Sequence, residues 1–277
     1  MPRLTVTQIA VVATAALLFV LLLFVDTSLP SKKKEEAVKK QENTVFDADI
    51  VLKSALNSLS QEQKNEVSTL TSSAEKADGS LKAVLLDSLV KWWDGFQKPQ
   101  MAAVYAEQLA VTTANSVSWS KAGDHYFSGA RFVKEELRPG LYQKAMDCYN
   151  KTLALEPQNV DAKINLAACY VEGSSDPMKG ITLLREVEKT DSNNVNLQLN
   201  FAFFSVKSQQ FDKAIYRFNK VLKLNPEFIE AYLHLADVYQ AKGDKEKAVE
   251  CLEKYIGLEK DATIKTEVQN YINKLKT

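Results

Sequence analysis

One stretch of the chain decides the fold: residues 195–228 read VNLQLNFAFFSVKSQQFDKAIYRFNKVLKLNPEF. Its apolar residues recur at helical spacing in two successive segments. Ala202 lies in the first segment, and Ala214 and Phe218 lie in the second. Pro226 follows the second segment, where it ends the helix because proline cannot continue one. The stretch therefore predicts two helices that fold back on each other as a hairpin.

Three further copies of the pattern occupy residues 116–159, 160–194 and 229–262. Each copy places a small residue in its first helix and another in its second. These small residues are Gly123, Ala167, Ala202 and Ala236 in the first helices, and Ala145, Gly180, Ala214 and Ala248 in the second. Small residues let two helices approach closely. Since one hairpin cannot bury its own apolar face, the copies are expected to stack.

These residues resemble the tetratricopeptide repeat, whose signature W-x2-L-G-x2-Y precedes G-x-Y-x2-A, an aromatic residue, an alanine and a terminal proline. In the first copy Trp119, Gly123 and Tyr126 match the start of that signature. The resemblance covers residues 116–262 and implies an all-α superhelical solenoid.

The sequence departs from the repeat signature in two places. Residues 132–139 add an insertion, for which we expect an overlong first helix or an extra turn, and Ser192 replaces the terminal proline of the second copy.

The whole chain divides by pattern and composition. We predict a short lead at 1–8, a transmembrane anchor at 9–25, a charged tether at 26–43, a helical region at 44–81, a degenerate repeat at 82–115, a repeat with an insertion at 116–159, repeats at 160–194, 195–228 and 229–262, and a capping helix at 263–277. Within the helical region, Ser60 and Gln63 have the spacing of a capping box.

The segment at 9–25 carries no charge, and Thr14 is its one polar residue. A segment of this length just crosses a hydrocarbon core of about 30 Å. A secretory signal has the same pattern, but residues 24–30 offer no small-x-small cleavage site, and no cysteine follows for lipid attachment. We interpret the segment as an uncleaved single-pass anchor in the inner, cytoplasmic membrane of a bacterium.

The side of the membrane on which the repeats lie depends on the residues after the anchor. Residues 26–43 are rich in lysine and glutamate and cannot form a core, so they form a tether or a solvated helical stalk. Their lysines outnumber the cations before the anchor, which favours a cytoplasmic repeat domain. Interspersed glutamates dilute that signal and leave the outward orientation open.

Composition argues against several function classes. The 35 basic and 35 acidic residues cancel, which is unlike a protein that grips nucleic acid. The two histidines have no cysteine or carboxylate at a metal-ligand spacing. Cys148, Cys169 and Cys251 are expected to fill the core. We therefore predict no catalytic, cofactor-binding or metal-binding residue, and a protein that is not an enzyme and needs no cofactor.

The resemblance also implies a peptide site, because ligands of this repeat family usually lie in the concave groove lined by first helices. The repeat phase places that groove on Asp124, Phe127, Ile164, Asn165, Ala168, Val171, Leu199, Asn200, Phe203, Val206, Leu233, His234, Asp237 and Gln240. Asn165 and Asn200 fall in register, where paired amides would hold an extended peptide. Alternatively, the chain's own terminal helix, or the region before residue 82, covers part of the groove.

The family's carboxylate clamp needs lysines where this chain has Ser120, Ile164 and Leu199, so a chaperone tail is not the expected ligand. The function implied is a non-enzymatic, membrane-tethered scaffold or adaptor that binds proteins or peptides, similar to anchored repeat proteins of cell-envelope assembly. Two alternatives stay open. One is a self-associating subunit whose groove takes a helix of another copy. The other is an enzyme-accessory protein with convergent polar groups in residues 44–115.

Overall fold

The computed structural model describes residues 47–174 and 176–276, which belong to one compact unit, Thr44–Thr277. Throughout these residues the regular structure is helical, so the all-α expectation is confirmed. The helices are α1 Ala48–Asn57, α2 Gln61–Lys76, α3 Gly79–Gly95, α4 Pro99–Thr113, α5 Ser116–Gly129, α6 Arg138–Leu155, α7 Val160–Gly173, α8 Pro177–Thr190, α9 Val195–Lys207, α10 Phe211–Leu224, α11 Glu230–Lys242, α12 Lys245–Leu258 and α13 Ala262–Lys276.

Neighbouring helices pack on each other in the order of the chain. The pairs α3–α4, α5–α6, α7–α8, α9–α10 and α11–α12 form hairpins, and each second helix also contacts the first helix of the next hairpin. Before them α1 packs on α4 and α2 on α3, and after them α13 packs on α12. Buried apolar side chains form three clusters in succession along the chain. Packing between near neighbours is the arrangement of a repeat solenoid.

The small residues at the hairpin crossings are required by close helix approach. A Cβ atom added to Gly180 would lie 2.4 Å from the carbonyl oxygen of Ala167 in the preceding helix. A Cβ atom added to Gly123 would lie 2.7 Å from the Tyr149 ring. Both distances are far below ordinary van der Waals contact. The sequence spacing that predicted the hairpins therefore corresponds to contacts between their helices.

The insertion in the first full repeat forms turns rather than an overlong helix. After α5 ends at Gly129, two 3-10 turns follow at Ala130–Phe132 and Glu135–Leu137, and α6 then begins at Arg138. Ala130 is fully buried and fixes the first turn to the core. Of the two expectations, the extra turn is the one the structure has.

The hairpin that lacks a terminal proline keeps the backbone of those that have one. Ser192 stands where two other repeats carry Pro157 and Pro226. The preceding residues share one conformation, with φ and ψ of −131° and 81° at Glu156, −143° and 75° at Asp191, and −136° and 89° at Asn225. The turn is therefore held in the same geometry without the proline ring.

A hydrogen-bond network holds the Ser192 turn. The Ser192 carbonyl accepts bonds from Gln198 Nε2 at 2.7 Å and from Lys220 Nζ at 2.6 Å. Arg217 Nη1 donates to Gln198 Oε1 at 2.8 Å and forms an ion pair with Glu188 at 2.7 Å. Gln198 is fully buried, whereas Ser192, Lys220, Arg217 and Glu188 keep contact with solvent. The network therefore links α8, α9 and α10 through one buried amide.

The first and last parts of the described chain are capped. At the start of α2, Ser60 Oγ accepts from the Gln63 amide at 3.2 Å, and Gln63 Oε1 accepts from the Ser60 amide at 2.8 Å, which is the predicted capping box. At the other end, α13 buries Ile272 completely against the last hairpin.

No helix in residues 47–174 and 176–276 is long and apolar enough to cross a membrane. The predicted lead at 1–8, anchor at 9–25 and tether at 26–43 lie outside the described residues.

Candidate functional site

The residues expected to line a peptide groove lie on four first helices, α5, α7, α9 and α11. We call these fourteen residues the first-helix strip. They are Asp124 and Phe127 on α5, Ile164, Asn165, Ala168 and Val171 on α7, Leu199, Asn200, Phe203 and Val206 on α9, and Leu233, His234, Asp237 and Gln240 on α11. Direct contacts join α5 to α7 and α7 to α9, so these helices adjoin one another along the strip.

At the α5 end of the strip, polar side chains bind each other. Asn165 Nδ2 donates to Asp124 Oδ1 at 3.0 Å, and the Tyr149 hydroxyl donates to the same oxygen at 2.7 Å. Burial raises the pKa of Asp124 above its ordinary value, although the two hydrogen bonds act in the opposite direction. One donor of Asn165 is thus used within the protein, between adjacent hairpins.

Two α7 residues of the strip lie in the core. Ile164 is fully buried and Ala168 is buried as well. Ile164 packs with Leu197 and Phe204, both from α9, because the first helices of the two hairpins approach closely here. The side chain of Ile164 therefore fills the junction between repeats and offers no surface for the peptide pocket expected of it.

The second asparagine of the expected pair also bonds within the protein. Asn200 Nδ2 donates to the Asn196 carbonyl one turn earlier in α9, at 2.9 Å. The side-chain amides of Asn165 and Asn200 therefore each donate one hydrogen bond within the protein. Only part of each amide group remains for the paired hydrogen bonds expected with a peptide.

An aromatic cluster lies between α9 and α11. The Phe203 ring packs edge-on against Phe218 at a centroid distance of 5.5 Å and against His234 at 4.9 Å. His234 stacks on the fully buried Phe218 at 5.3 Å. Burial lowers the pKa of His234 and raises that of nearby Asp237. The imidazole is therefore neutral at physiological pH, and the three rings form an apolar cluster beside the Asp237 carboxyl.

The terminal helix reaches the far end of the strip. Tyr271 of α13 donates from its hydroxyl to Gln240 Oε1 at 2.8 Å. Between α7 and α9, in the middle of the strip, Lys207 Nζ donates to the Val171 carbonyl at 3.0 Å and pairs with Glu172 at 3.1 Å. The middle of the strip and both its ends thus carry internal polar contacts.

The accessible apolar section of the strip lies on α9 and α11. Leu199, Val206 and Leu233 are half-buried around Phe203, whose side chain is 41% exposed although it is large and aromatic. An aromatic ring that is fixed by two neighbouring rings and open on one side is a suitable floor for an apolar side chain of a ligand.

No group of three or more metal-binding side chains occurs among the residues that the structure describes. The three cysteines are all buried and unpaired. Burial raises the pKa of the Cys148 thiol to about 12 and raises the pKa values of Cys169 and Cys251. These thiols are protonated at neutral pH, which fits packing rather than nucleophilic chemistry.

Sequence reasoning did not find the partners that fix the strip. Tyr149 and Phe218 lie on second helices, outside the expected groove, yet Tyr149 donates to Asp124 and Phe218 supports the rings of Phe203 and His234. Both residues are aromatic and lie on the second helix of a repeat, on the side that meets a first helix. That shared position is the feature of the sequence that could have identified them.

Comparison with known proteins gives partial matches in sequence. The family described as Regulator of microtubule dynamics protein 1-3 matches residues 198–276, well under half of the chain. The Tetratricopeptide repeat-containing protein trd-1 of Caenorhabditis elegans is 29% identical over 84 residues, which is 30% of this chain and 11% of that protein. The Cytochrome c-type biogenesis protein CcmH of Escherichia coli is 32% identical over 84 residues, which is 30% of this chain and 24% of that protein.

Comparison with solved structures matches a larger part of the chain. The structure of PilW, described as a widely conserved type IV pilus biogenesis factor, aligns with a TM-score of 0.52 at 18% identity. The alignment covers 70% of this chain and 85% of PilW. At this identity the likeness concerns the fold: a solenoid of helical hairpins.

Proposed function

We propose, on the premise that this chain is a tetratricopeptide repeat protein, that it is a non-enzymatic scaffold that binds an extended segment of another protein. The segment lies on the α9–α11 section of the first-helix strip. It places an apolar side chain against Phe203 and His234, and it donates a hydrogen bond to the side-chain oxygen of Asn200.

The observation that carries this proposal is the exposure of Phe203. Fixed aromatic residues at the centre of a contact surface contribute much of the binding energy in protein complexes. Phe203 is 41% exposed, and Phe218 and His234 hold its ring in place. Half-buried Leu199, Val206 and Leu233 lie in the same section.

We further propose that residues 9–25 anchor the protein in a membrane and that residues 26–43 hold the solenoid away from it. The uncharged composition of the first segment and the lysine-glutamate composition of the second support this role. A role in cell-envelope assembly is the narrower form of the proposal. Reporters fused after Thr277, one active in the cytoplasm and one outside it, test the compartment, and a reporter recovered with soluble protein would contradict the anchor.

The test of the binding site uses a pair of variants of the full chain in detergent. Random peptides are first selected on the unaltered protein by display, and the affinity of the best is measured by fluorescence anisotropy. Asn200→Ala combined with Phe203→Ala removes the proposed contacts, and we expect it to weaken binding by roughly 1–4 kcal/mol. Circular dichroism should stay unchanged.

Met178→Ala is the matched control, because Met178 is an exposed apolar residue on the second helix α8. It should leave peptide affinity unchanged. Equal affinity of all three proteins would contradict the site, and loss of helicity in the double variant would assign these residues to the core. If instead the mass of the protein rises with concentration and the double variant abolishes that rise, the occupant is a second copy of this chain.

A further inference from the structure

A second depression lies between two second helices, away from the first-helix strip. We call it the α8–α10 trench; its volume is about 620 Å³. Its walls come from α8 and α10, and α9 supplies its floor. Its lining includes Arg185 and Glu188 on α8, Phe201 on α9, and Lys213, Tyr216 and Arg217 on α10. The lining shares no residue with the strip.

The floor and one wall of the trench are aromatic and rigid. The guanidinium carbon of Arg217 lies 4.5 Å from the centre of the Phe201 ring and 5.8 Å from that of Tyr216. Arg217 is held in turn by Glu188 and the buried Gln198. Tyr216 is 64% exposed, so a large ring stands open beside an ordered surface.

The acidic side chains of the trench have ion-pair partners, whereas two of its basic side chains do not. Both lining carboxylates have partners, because Glu188 pairs with Arg217 and Asp212 pairs with Lys242. Arg185 has no hydrogen bond or ion pair within residues 47–174 and 176–276, and Lys213 has there only a hydrogen bond to Gln210. One unpaired cation therefore stands on each wall.

We infer that the α8–α10 trench is a second peptide site, which binds an acidic segment that carries an aromatic or branched apolar side chain. Carboxylates of the segment pair with Arg185 on one wall and Lys213 on the other. Its apolar side chain packs on Phe201 beside the exposed Tyr216 ring. The inference concerns a surface separate from the first-helix strip and does not depend on a ligand there.

The experiment measures fluorescence anisotropy of a short labelled peptide that alternates glutamate and tyrosine, with the full chain in detergent. The comparison probes are polyglutamate and a lysine-tyrosine peptide of the same length. We expect the glutamate-tyrosine peptide to bind more tightly than either probe, and its affinity to fall with added salt because the paired charges lie at an exposed rim.

Arg185→Glu combined with Lys213→Glu should weaken this binding at least about tenfold, since two attractive pairs become repulsive. Lys245→Glu combined with Lys254→Glu is the matched control. It makes the same change of charge at exposed positions on α12, which does not line the trench. The control should keep the affinity of the unaltered protein. A second variant, Tyr216→Ala, should weaken the glutamate-tyrosine peptide and leave polyglutamate binding unchanged.

Several results would overturn the inference. Equal loss in the α12 control would mean that surface lysines attract the acidic peptide wherever they lie, and that the trench does not bind it specifically. Polyglutamate that binds as tightly as the mixed peptide would mean that no apolar contact is made. Loss of binding in Asn200→Ala with Phe203→Ala would place the peptide on the first-helix strip. Failure of the mixed peptide to bind at all would remove the trench site while leaving the proposed function standing.

Discussion

Single residues set the geometry of the junction where the repeat lacks its proline. At Ser192 the carbonyl takes two hydrogen bonds, and the buried Gln198 both donates to that carbonyl and accepts from Arg217. The side-chain amide of Gln198 uses both its nitrogen and its oxygen in hydrogen bonds, and these bonds fix the backbone of the turn. In the repeats with Pro157 and Pro226, the proline ring has that role. Loss of the Gln198 amide would leave the Ser192 carbonyl with the bond from Lys220 alone and Arg217 with Glu188 alone.

Gln198→Leu tests this at the residue scale. The leucine fills a similar volume, but the Ser192 carbonyl and the Arg217 guanidinium each lose a bond, so we expect the free energy of unfolding to fall by roughly 1–3 kcal/mol. Urea denaturation followed by circular dichroism measures the change. Gln269→Leu, at an exposed position of α13, should stay within about 0.5 kcal/mol. Similar stability of the two variants would show that the network does not hold the turn.

The same residues show where sequence reasoning stops. The missing proline was visible at Ser192, but its replacement joins groups from three helices and has no fixed spacing in the chain. Asp124 and Asn165 were both expected to face a ligand, and they bind each other because adjacent first helices bring them within 3.0 Å. Periodicity gives the face of a helix on which a side chain lies, and it does not give that side chain's partner.

At the scale of elements, the crossing of two helices decides which small residues are required. Gly180 of α8 faces the backbone of α7, where a Cβ atom would lie 2.4 Å from the Ala167 carbonyl oxygen. Gly257 of α12 has no atom within 4 Å of a Cβ atom built on it. Both glycines lie within helices, so their local backbone structure is the same. They differ only in the neighbours that an added Cβ atom would meet.

Alanine at these two glycines should have opposite effects. Gly180→Ala forces α7 and α8 apart, and we expect a loss of roughly 1–3 kcal/mol in the free energy of unfolding. Gly257→Ala should gain about 0.5–1 kcal/mol, because alanine favours the helix and meets nothing. Thermal unfolding of both variants beside the unaltered protein measures the difference. A stabilised Gly180→Ala would contradict the close crossing.

The hairpins were predictable as elements because small residues, aromatic residues and prolines recur in register. The insertion was less predictable, since its length fitted either a longer helix or an extra turn. Burial of Ala130 decides between them by fixing the chain to the core directly after α5. The burial of Ala130 depends on the helices that pack around it. It follows no periodic pattern in the sequence that could have predicted it.

For the whole molecule, stability comes from contacts between successive hairpins, and the last hairpin depends on α13. Ile272 is completely buried there, within the same cluster as Leu235 and Leu252. In a solenoid each unit is stabilised mainly by its neighbours, so an end without its cap unfolds first.

Removal of residues 262–277 should therefore expose the amides of α11 and α12 to hydrogen exchange while those of α3 to α6 stay protected. Mass spectrometry of exchanged fragments measures this. Tyr271→Phe is the control, because it removes the hydrogen bond to Gln240 and leaves Ile272 in place. A uniform increase of exchange over the whole solenoid after the truncation would contradict local stabilisation by the cap.

The polar ties between hairpins differ in their exposure to solvent, and this difference determines how each responds to salt. Asp124 accepts a partly buried hydrogen bond from Tyr149 and an exposed one from Asn165, and these bonds join α5, α6 and α7. Two ion pairs of later helices are exposed: Lys207 with Glu172, and Lys242 with Asp212. Mobile ions screen exposed pairs over about 8 Å at physiological ionic strength and act much less on buried bonds. Rising salt should therefore weaken these two ion pairs more than the Tyr149–Asp124 bond, so the links of α7 with α9 and of α10 with α11 are the ones that respond to the ionic surroundings.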